Sequence, residues 1–440
     1  MPVFSLLVTP LLGFALFSSA FPLSPLSHGQ GNNAADHSFV SNASPVTLGV
    51  ARRFNSVGSS NVLKFDQARA RALRQRTQTD SSSAPAEDAD IYSMDVVSQV
   101  VAYVMEVGIG DPPQTYNLLV DTGSSNTWVG ANKAKPFVRT PSSQFTGSAF
   151  EVQYGSGLVG GLEVIDTVTL APGLTLHNQS IGVADLAKGF DGMDGILGRV
   201  DSFWIGPEGL TFGSFSPDVY KCVPTVTDTA WSSGLLDDYE VGISFRPSNT
   251  YDNKNGQLTF GGVDATKYTG ELHYTPITST KPASAFVGVD QSLIYGDVYP
   301  KVILDNAAGI LDTGTTLILI ASDAFERYQN VTGGVPDDDV GLLRITPEQY
   351  ANLDSLYFNI GGEVYELIPN AQIWPRTLNE AIGGSPDAIY LIVNDLGSMA
   401  GGGLDFINGM SFLERFYMVY DVGGSRAGLA YTPWTYEEMN

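Results

Sequence analysis

The sequence predicts an all-β fold, mainly strands with a few short helices, built as two similar lobes. Three observations lead there. The chain of 440 residues is too long for one ordinary domain. Its 48 glycines and 24 prolines imply many turns, and its plentiful aromatic and β-branched residues favour strands. Finally, two distant segments repeat one pattern: Val120-Asp121-Thr122-Gly123-Ser124-Ser125 and Leu311-Asp312-Thr313-Gly314-Thr315-Thr316, each following apolar residues. From average residue usage, Asp-Thr-Gly followed by two hydroxyl residues arises by chance in roughly one such chain in a thousand, and twice in about one in a million.

The elements follow in order. Met1 to Ala20 is apolar and free of charged side chains, and Ser18-Ser19-Ala20 offers small residues for cleavage, as in a secretory signal peptide. Residues 21–89 form a prosegment and linker. Residues 21–50 are rich in Ser, Asn, Pro and Gly. Residues 51–76 carry Arg52, Arg53, Lys64, Arg69, Arg71, Arg74 and Arg76 against one acid, Asp66, with a helical stretch from Asn61 to Arg76. Residues 77–89 read as an exposed linker. A solvated helix or a nucleic-acid arm would also be basic. The prosegment reading is preferred because the body beside it is acidic.

From Asp90 onward, 16 basic residues face about 42 acids, and the whole chain carries a net charge of -24. Such a surface repels nucleic acid, argues against anionic substrates and suits an acid medium. Basic side chains such as Lys64 are expected to pair with carboxylates around a cleft and to loosen as those protonate. No stretch after the N-terminus is long and apolar enough to span a membrane. The sole cysteine, Cys222, allows no intrachain disulfide.

Val100 to Val107 is a strand-forming run closed by Gly108 to Pro113, and Tyr116 to Val120 delivers Asp121 to a turn. Asn255-Gly256 reads as a hairpin turn, with a break at Gly261-Gly262. A helix is expected from Ser322 to Val331, capped by Ser322 and stopped by Gly333. A shorter one is expected over Pro347 to Leu353. The lobe boundary falls near Ala265 to Pro276, giving lobes of residues 90–270 and 271–440.

Each Asp-Thr-Gly is a tight loop at a strand end. Gly123 and Gly314 let the chain turn and let backbone amides approach the carboxylates. Ser124 and Thr315 supply hydroxyl hydrogen bonds to the outer carboxylate oxygens, and Thr122 and Thr313 reach across the lobe interface. Two carboxylates this close share a proton over a broad acid range. The aspartic-protease dyad is itself the standard example of that split. One carboxyl then takes a proton from water while the other polarises a carbonyl, with no metal and no cofactor.

The sequence resembles the pepsin-like aspartic endopeptidases over roughly Asp90 to Pro433. The resemblance rests on Ile109 to Gln114, Leu119 to Val129, Val152 to Gly157, Phe190 to Gly198, Phe260 to Asp264, Ile310 to Thr316 and Phe412 to Asp421. It implies a bilobal fold with a cleft between the lobes. Asp121 and Asp312 are implied as the catalytic pair. Tyr154, Gly155 and Ser156 are implied as the tip of a flap over the bound peptide, with Tyr154 bonded toward Trp128. Ile196-Leu197-Gly198 and Ile407-Asn408-Gly409 are implied as matching segments beside the two aspartate loops, with Asn408 in place of an aliphatic residue. Protein and peptide substrates are implied, cut between hydrophobic residues at acid pH, by a secreted monomer whose own prosegment inhibits it until maturation near Asp90. Sequons at Asn42, Asn178 and Asn330 mark possible glycans.

Two other classes compete with this reading. An acid glycosidase also uses two carboxylates, but does not need duplicated Asp-Thr-Gly loops. An inactive binding protein of the same fold would be expected to lose an aspartate, a loop glycine or the flap tyrosine, and all are present. With only His177 and His273 after Asp90, a zinc site or a serine triad lacks parts.

Overall fold

The computed structural model describes residues 44–54, 61–76, 101–154, 157–190, 192–198, 223–251 and 253–440. The chain divides into two units, Met1–Ser41 and Asn42–Asn440, and everything described lies in the second. The expected signal peptide, the 77–89 linker, Asn42, Cys222 and the flap residues Gly155 and Ser156 lie outside the described residues.

Strands dominate, as expected. The first is β1 (Val46–Phe54), followed by helix α1 (Val62–Arg76). Then come β2 (Val101–Ile109), β3 (Gln114–Asp121), β4 (Trp128–Val129), β5 (Gln144–Tyr154), β6 (Gly157–Ala171), β7 (Leu174–Lys188) and β8 (Gly195–Gly198). These continue into β9 (Glu240–Ser244), β10 (Asn253–Phe260) and β11 (Thr269–Pro276). All of them, with Phe416–Asp421 and Arg426–Tyr431, make a 13-stranded sheet. A 7-stranded sheet contains β12 (Gly288–Tyr295), β13 (Lys301–Leu311), β14 (Ile318–Ile320) and Phe406–Asn408.

The repeat seen in the sequence is a repeat in topology. β3 runs parallel to β8, with Val120 opposite Leu197 and Asp121 opposite Gly198, and β8 pairs antiparallel with β4. In the second lobe β13 runs parallel to Phe406–Asn408, with Leu311 opposite Asn408, and that segment pairs antiparallel with β14. Each aspartate therefore leaves the end of an apolar strand wedged between two chain segments. Buried Leu118, Leu119 and Val120 on one side, and Ile310 and Leu311 on the other, anchor the two loops in the core.

β1 lies inside the large sheet. Val46 to Val50 pair with β10 and Ala51 to Phe54 with β2. Its Arg52 is buried and forms an ion pair with Glu414 at 3.1 Å. Glu414 also accepts a hydrogen bond from Tyr103 Oη at 2.9 Å.

Helix α1 starts one residue later than expected, at Val62, with the Asn61 carboxamide accepting from the Lys64 N–H. Val62, Asp66, Arg69, Ala70 and Leu73 are buried, a spacing that puts all five on one helical face. On the flank of that face, Gln67 Nε2 donates to the Asp395 carbonyl and Arg74 Nη2 to that of Leu404.

Two local expectations fail, and one helix is shorter than expected. Asn255-Gly256 is no hairpin turn but lies within β10, with Gly256 opposite Val50. A Cβ on Gly256 would come within 2.5 Å of Val50 and 2.9 Å of Phe245 and Tyr103, so glycine serves close packing there rather than a turn. The helix Ser322–Thr332 ends at Gly333 as expected, with φ of 70°, but its N-cap is Ala321. The Ser322 hydroxyl is drawn instead to Asp395 at 2.6 Å. The helix at Pro347 ends at Ala351, capped by Thr346 and Gln349.

Candidate active site

Asp121 and Asp312 are fully buried, and each is fitted with the donors its loop was expected to supply. Asp121 accepts from the Gly123 N–H at 2.9 Å and from Ser124 Oγ at 2.6 Å. Asp312 accepts from the Gly314 N–H at 3.1 Å and from Thr315 Oγ1 at 2.6 Å. The threonines cross between the lobes. The Thr122 N–H donates to Thr313 Oγ1 at 3.0 Å, and the Thr313 N–H donates to Thr122 Oγ1 at 2.9 Å. Their hydroxyls donate onward to the carbonyls of Leu311 and Val120. Four bonds thus fix the two loops against each other.

The glycines are there because the loops meet. A Cβ on Gly123 would sit 2.8 Å from Asp312 Oδ1, and one on Gly314 would sit 2.7 Å from Asp121 Oδ1. Each aspartate therefore stands over the other loop's glycine, which places the two carboxyl groups side by side.

Arg69 of α1 lies between them. Its Nε donates to Asp312 Oδ2 at 2.7 Å, and its Nη2 donates to Asp312 Oδ1 at 2.9 Å and to Asp121 Oδ1. Nη1 reaches Asp121 Oδ2 at 3.5 Å. A guanidinium presents a planar fork of donors, so one group can engage both carboxylates. Burial alone would raise the Asp312 carboxyl, but the Arg69 charge and its hydrogen bonds, with those of Thr315 and Gly314, hold it below the usual carboxylate range. For Arg69, burial opposes the charge, yet the two carboxylates outweigh it and raise its pKa.

This corrects the sequence reading, which named Lys64 as an example of a cation pairing with cleft carboxylates. Lys64 is exposed. It occupies the outward side of α1, whereas Arg69 shares the buried face with Asp66 and Leu73. The helical spacing of those residues was the available signal.

Asp66, the only acid in the basic stretch, was also missed. It is fully buried, and its carboxylate accepts from the Thr316 N–H at 3.1 Å and the Leu317 N–H at 2.8 Å, directly after the second loop. Phe65 shares with Arg69 an apolar pocket whose other walls are Leu119, Tyr154, Phe190, Met193 and Ile196.

Tyr154 ends β5, where Tyr154 pairs with Gly157 across the hairpin. Trp128 Nε1 donates to Tyr154 Oη at 3.2 Å, as the sequence implied, and Phe190 packs edge-on against both rings. Asn408 is accommodated by a second polar residue: its Nδ2 donates to buried Gln291 Oε1 at 2.8 Å. Asn178 and Asn330 are both exposed.

The family model described as eukaryotic aspartyl protease matches residues 102–432. The chain is 54% identical to polyporopepsin from Irpex lacteus over 348 residues, covering 79% of this chain and 99% of that protein. It is 29% identical to human gastricsin over 343 residues, covering 75% of this chain and 81% of gastricsin. The crystal structure of the aspartic proteinase from Irpex lacteus matches with a TM-score of 0.73 at 55% identity, covering 77% of this chain and 96% of that one. Taken with the duplicated loops and the fold, these likenesses place the chain in the pepsin-like aspartic protease family, as an aspartic endopeptidase acting on peptide substrates.

Proposed function

We propose that this is a secreted zymogen whose mature form cuts peptide bonds in acid, with Asp121 and Asp312 as the catalytic pair. The observation that carries the reading is the side-by-side meeting of two buried carboxyls from duplicate loops. With Arg69 withdrawn, the pair shares one proton. The ionised member takes a proton from water as the water oxygen bonds to the scissile carbonyl carbon. The protonated member gives its proton to the carbonyl oxygen. In the collapse of that diol, the carboxyl that took the water proton gives it to the nitrogen, the C–N bond breaks, and a diol hydroxyl returns its proton to the other carboxyl, leaving an acid, an amine and the dyad as it began. Thr122, Gly123, Ser124, Thr313, Gly314 and Thr315 hold the carboxyls in place. Tyr154 and Trp128, with Gly155 and Ser156, form the flap that orders the substrate and excludes water.

The apolar pocket beneath Tyr154 supports a preference for hydrophobic residues beside the cut. Residues 1–20 serve as signal peptide and residues 21–89 as prosegment and linker. Residues 90–270 and 271–440 are the two catalytic lobes, acting as a monomer. α1 inhibits by laying Arg69 across the dyad, and acid releases it as the carboxyls protonate. Asn178, Asn330 and Asn42 are sites for glycan. The test is to incubate purified full-length and acid-treated protein with a casein or peptide mixture at pH 3–7, with and without a transition-state-like peptide inhibitor. Inhibitor-sensitive cleavage after acid treatment, with the new N-terminus near Asp90, is expected. Full activity with residues 51–76 still attached would overturn the zymogen reading.

A further inference from the structure

Helix α1 carries a second buried charge that inhibition by Arg69 does not use. Asp66 is fully buried three residues before Arg69, on the same face. Its direct partners are neutral: the N–H groups of Thr316 and Leu317. The charged groups that bear on it most are Arg69 from its own helix and Asp312 from the facing loop. Arg69 is already engaged by both members of the dyad. The cluster thus sets three buried carboxyls against one guanidinium, and a buried carboxylate without its own cation is costly.

We propose that Asp66 is a proton-operated catch on the inhibitory helix: protonated, it holds α1 in the cleft, and ionised, it loosens the helix. This rests on the reading of α1 as the inhibitor of the dyad. A protonated Asp66 still offers a carbonyl oxygen to the Leu317 N–H and no longer carries a charge into the cleft. Burial pushes its pKa up to about 7, against the pull of the two amides and Arg69 and with a smaller push from Asp312.

The sign follows from linkage. The Asp66 pKa is raised in the closed state. Its contribution to closure is therefore complete below the ordinary value of about 4 and is lost as pH rises through about 7. Asp312 behaves oppositely: its pKa is depressed in the closed state, so its contribution is present above the ordinary value and lost as pH falls. Asp66 therefore resists opening during mild acidification, and the helix departs only when the dyad takes up its proton. Closure is firmest between the two windows.

The test is stopped-flow binding of a fluorescent transition-state-like peptide to the full-length chain at pH 4–8, before self-processing. The probe's own affinity is taken from the processed enzyme. In the wild type, opening should fall about tenfold or more from pH 7.5 to pH 5, since each unit of pH within the window is worth up to a factor of ten, and then rise in stronger acid. Asp66→Asn should keep the low level throughout pH 5–7.5 and still open in strong acid. If it follows the wild type between pH 7.5 and 5, Asp66 is not the catch. If the full-length chain binds the probe as tightly as the processed enzyme at every pH, the inhibition reading fails instead. Should the variant misfold, the carboxyl carbon-13 titration of Asp66 in the wild type decides: a midpoint near 7 supports the catch, and one near 4 overturns it.

Discussion

Arg69 and Asp312 are joined twice, Nε to Oδ2 at 2.7 Å and Nη2 to Oδ1 at 2.9 Å, fork against fork. The guanidinium cannot be neutralised by losing its own proton, because Arg stays charged at any pH a protein survives. Acid must therefore act on the carboxyls. Arg69→Gln leaves the dyad without its cation. The full-length variant should cleave a fluorogenic peptide at pH 5.5 about tenfold or more faster than the full-length wild type. A variant as silent as the wild type would show that strand β1 and the rest of α1 suffice for inhibition.

Asp121→Asn and Asp312→Asn each keep the shape of the loop but remove one carboxyl from the shared-proton pair. Activity of the processed enzyme should drop by at least the roughly 10²–10⁴-fold that general acid–base catalysis supplies. The circular dichroism spectrum should be unchanged. Retention of more than about a tenth of wild-type turnover would rule out the paired mechanism.

Tyr154→Ala removes the partner of Trp128 Nε1 and one wall of the apolar pocket that Phe65 also lines. Turnover should fall strongly without unfolding, while Tyr154→Phe, which keeps the wall and loses only the hydroxyl, should fall less. Equal losses in kcat for the two would assign the effect to the hydrogen bond alone.

Stability should decline toward neutral pH. Burial raises the Glu414 carboxyl against the pull of Arg52 and Tyr103. Burial, with Asp421 and Asp238, pushes Glu240 up to about 6. Groups raised in the folded state contribute stability that is complete below the ordinary carboxylate value and lost as pH rises through the raised one. On the zymogen reading, maturation near Asp90 takes away Arg52, the ion-pair partner of Glu414, and leaves it only the charge of Arg415. Melting temperatures of the processed wild type should therefore fall between pH 4.5 and 7, and Glu414→Gln should flatten that slope. A melting temperature that climbs steadily to neutrality would show that depressed groups such as Asp323 outweigh these.

What the sequence disclosed and what it hid divide along physical lines. The two loops were legible because one carboxylate needs a turn, two nearby donors and a small residue, and that demand prints the same short string twice. Trp128 and Tyr154 were legible through resemblance. Gly256 misled because a glycine required by Val50, Phe245 and Tyr103 looks, in one dimension, like a glycine required by a turn. Ser322 misled because Asp395 competes for its hydroxyl. Arg69 and Asp66 were on view as one cation among seven and one lone acid, but only the helical face and the cleft beneath it tell them apart.

Strand β1 has a final consequence, for how the enzyme comes to exist. It is hydrogen-bonded along both edges, to β10 and to β2, within a continuous sheet. Maturation near Asp90, as proposed, would discard an interior strand that pairs with both of its neighbours. On the zymogen reading, the processed chain should lack part of what guided its assembly, and its survival should depend on an unfolding barrier rather than on an equilibrium. Full-length protein unfolded in urea should regain its native spectrum on dilution. Processed protein treated the same way should not, until a peptide of residues 44–76 is supplied.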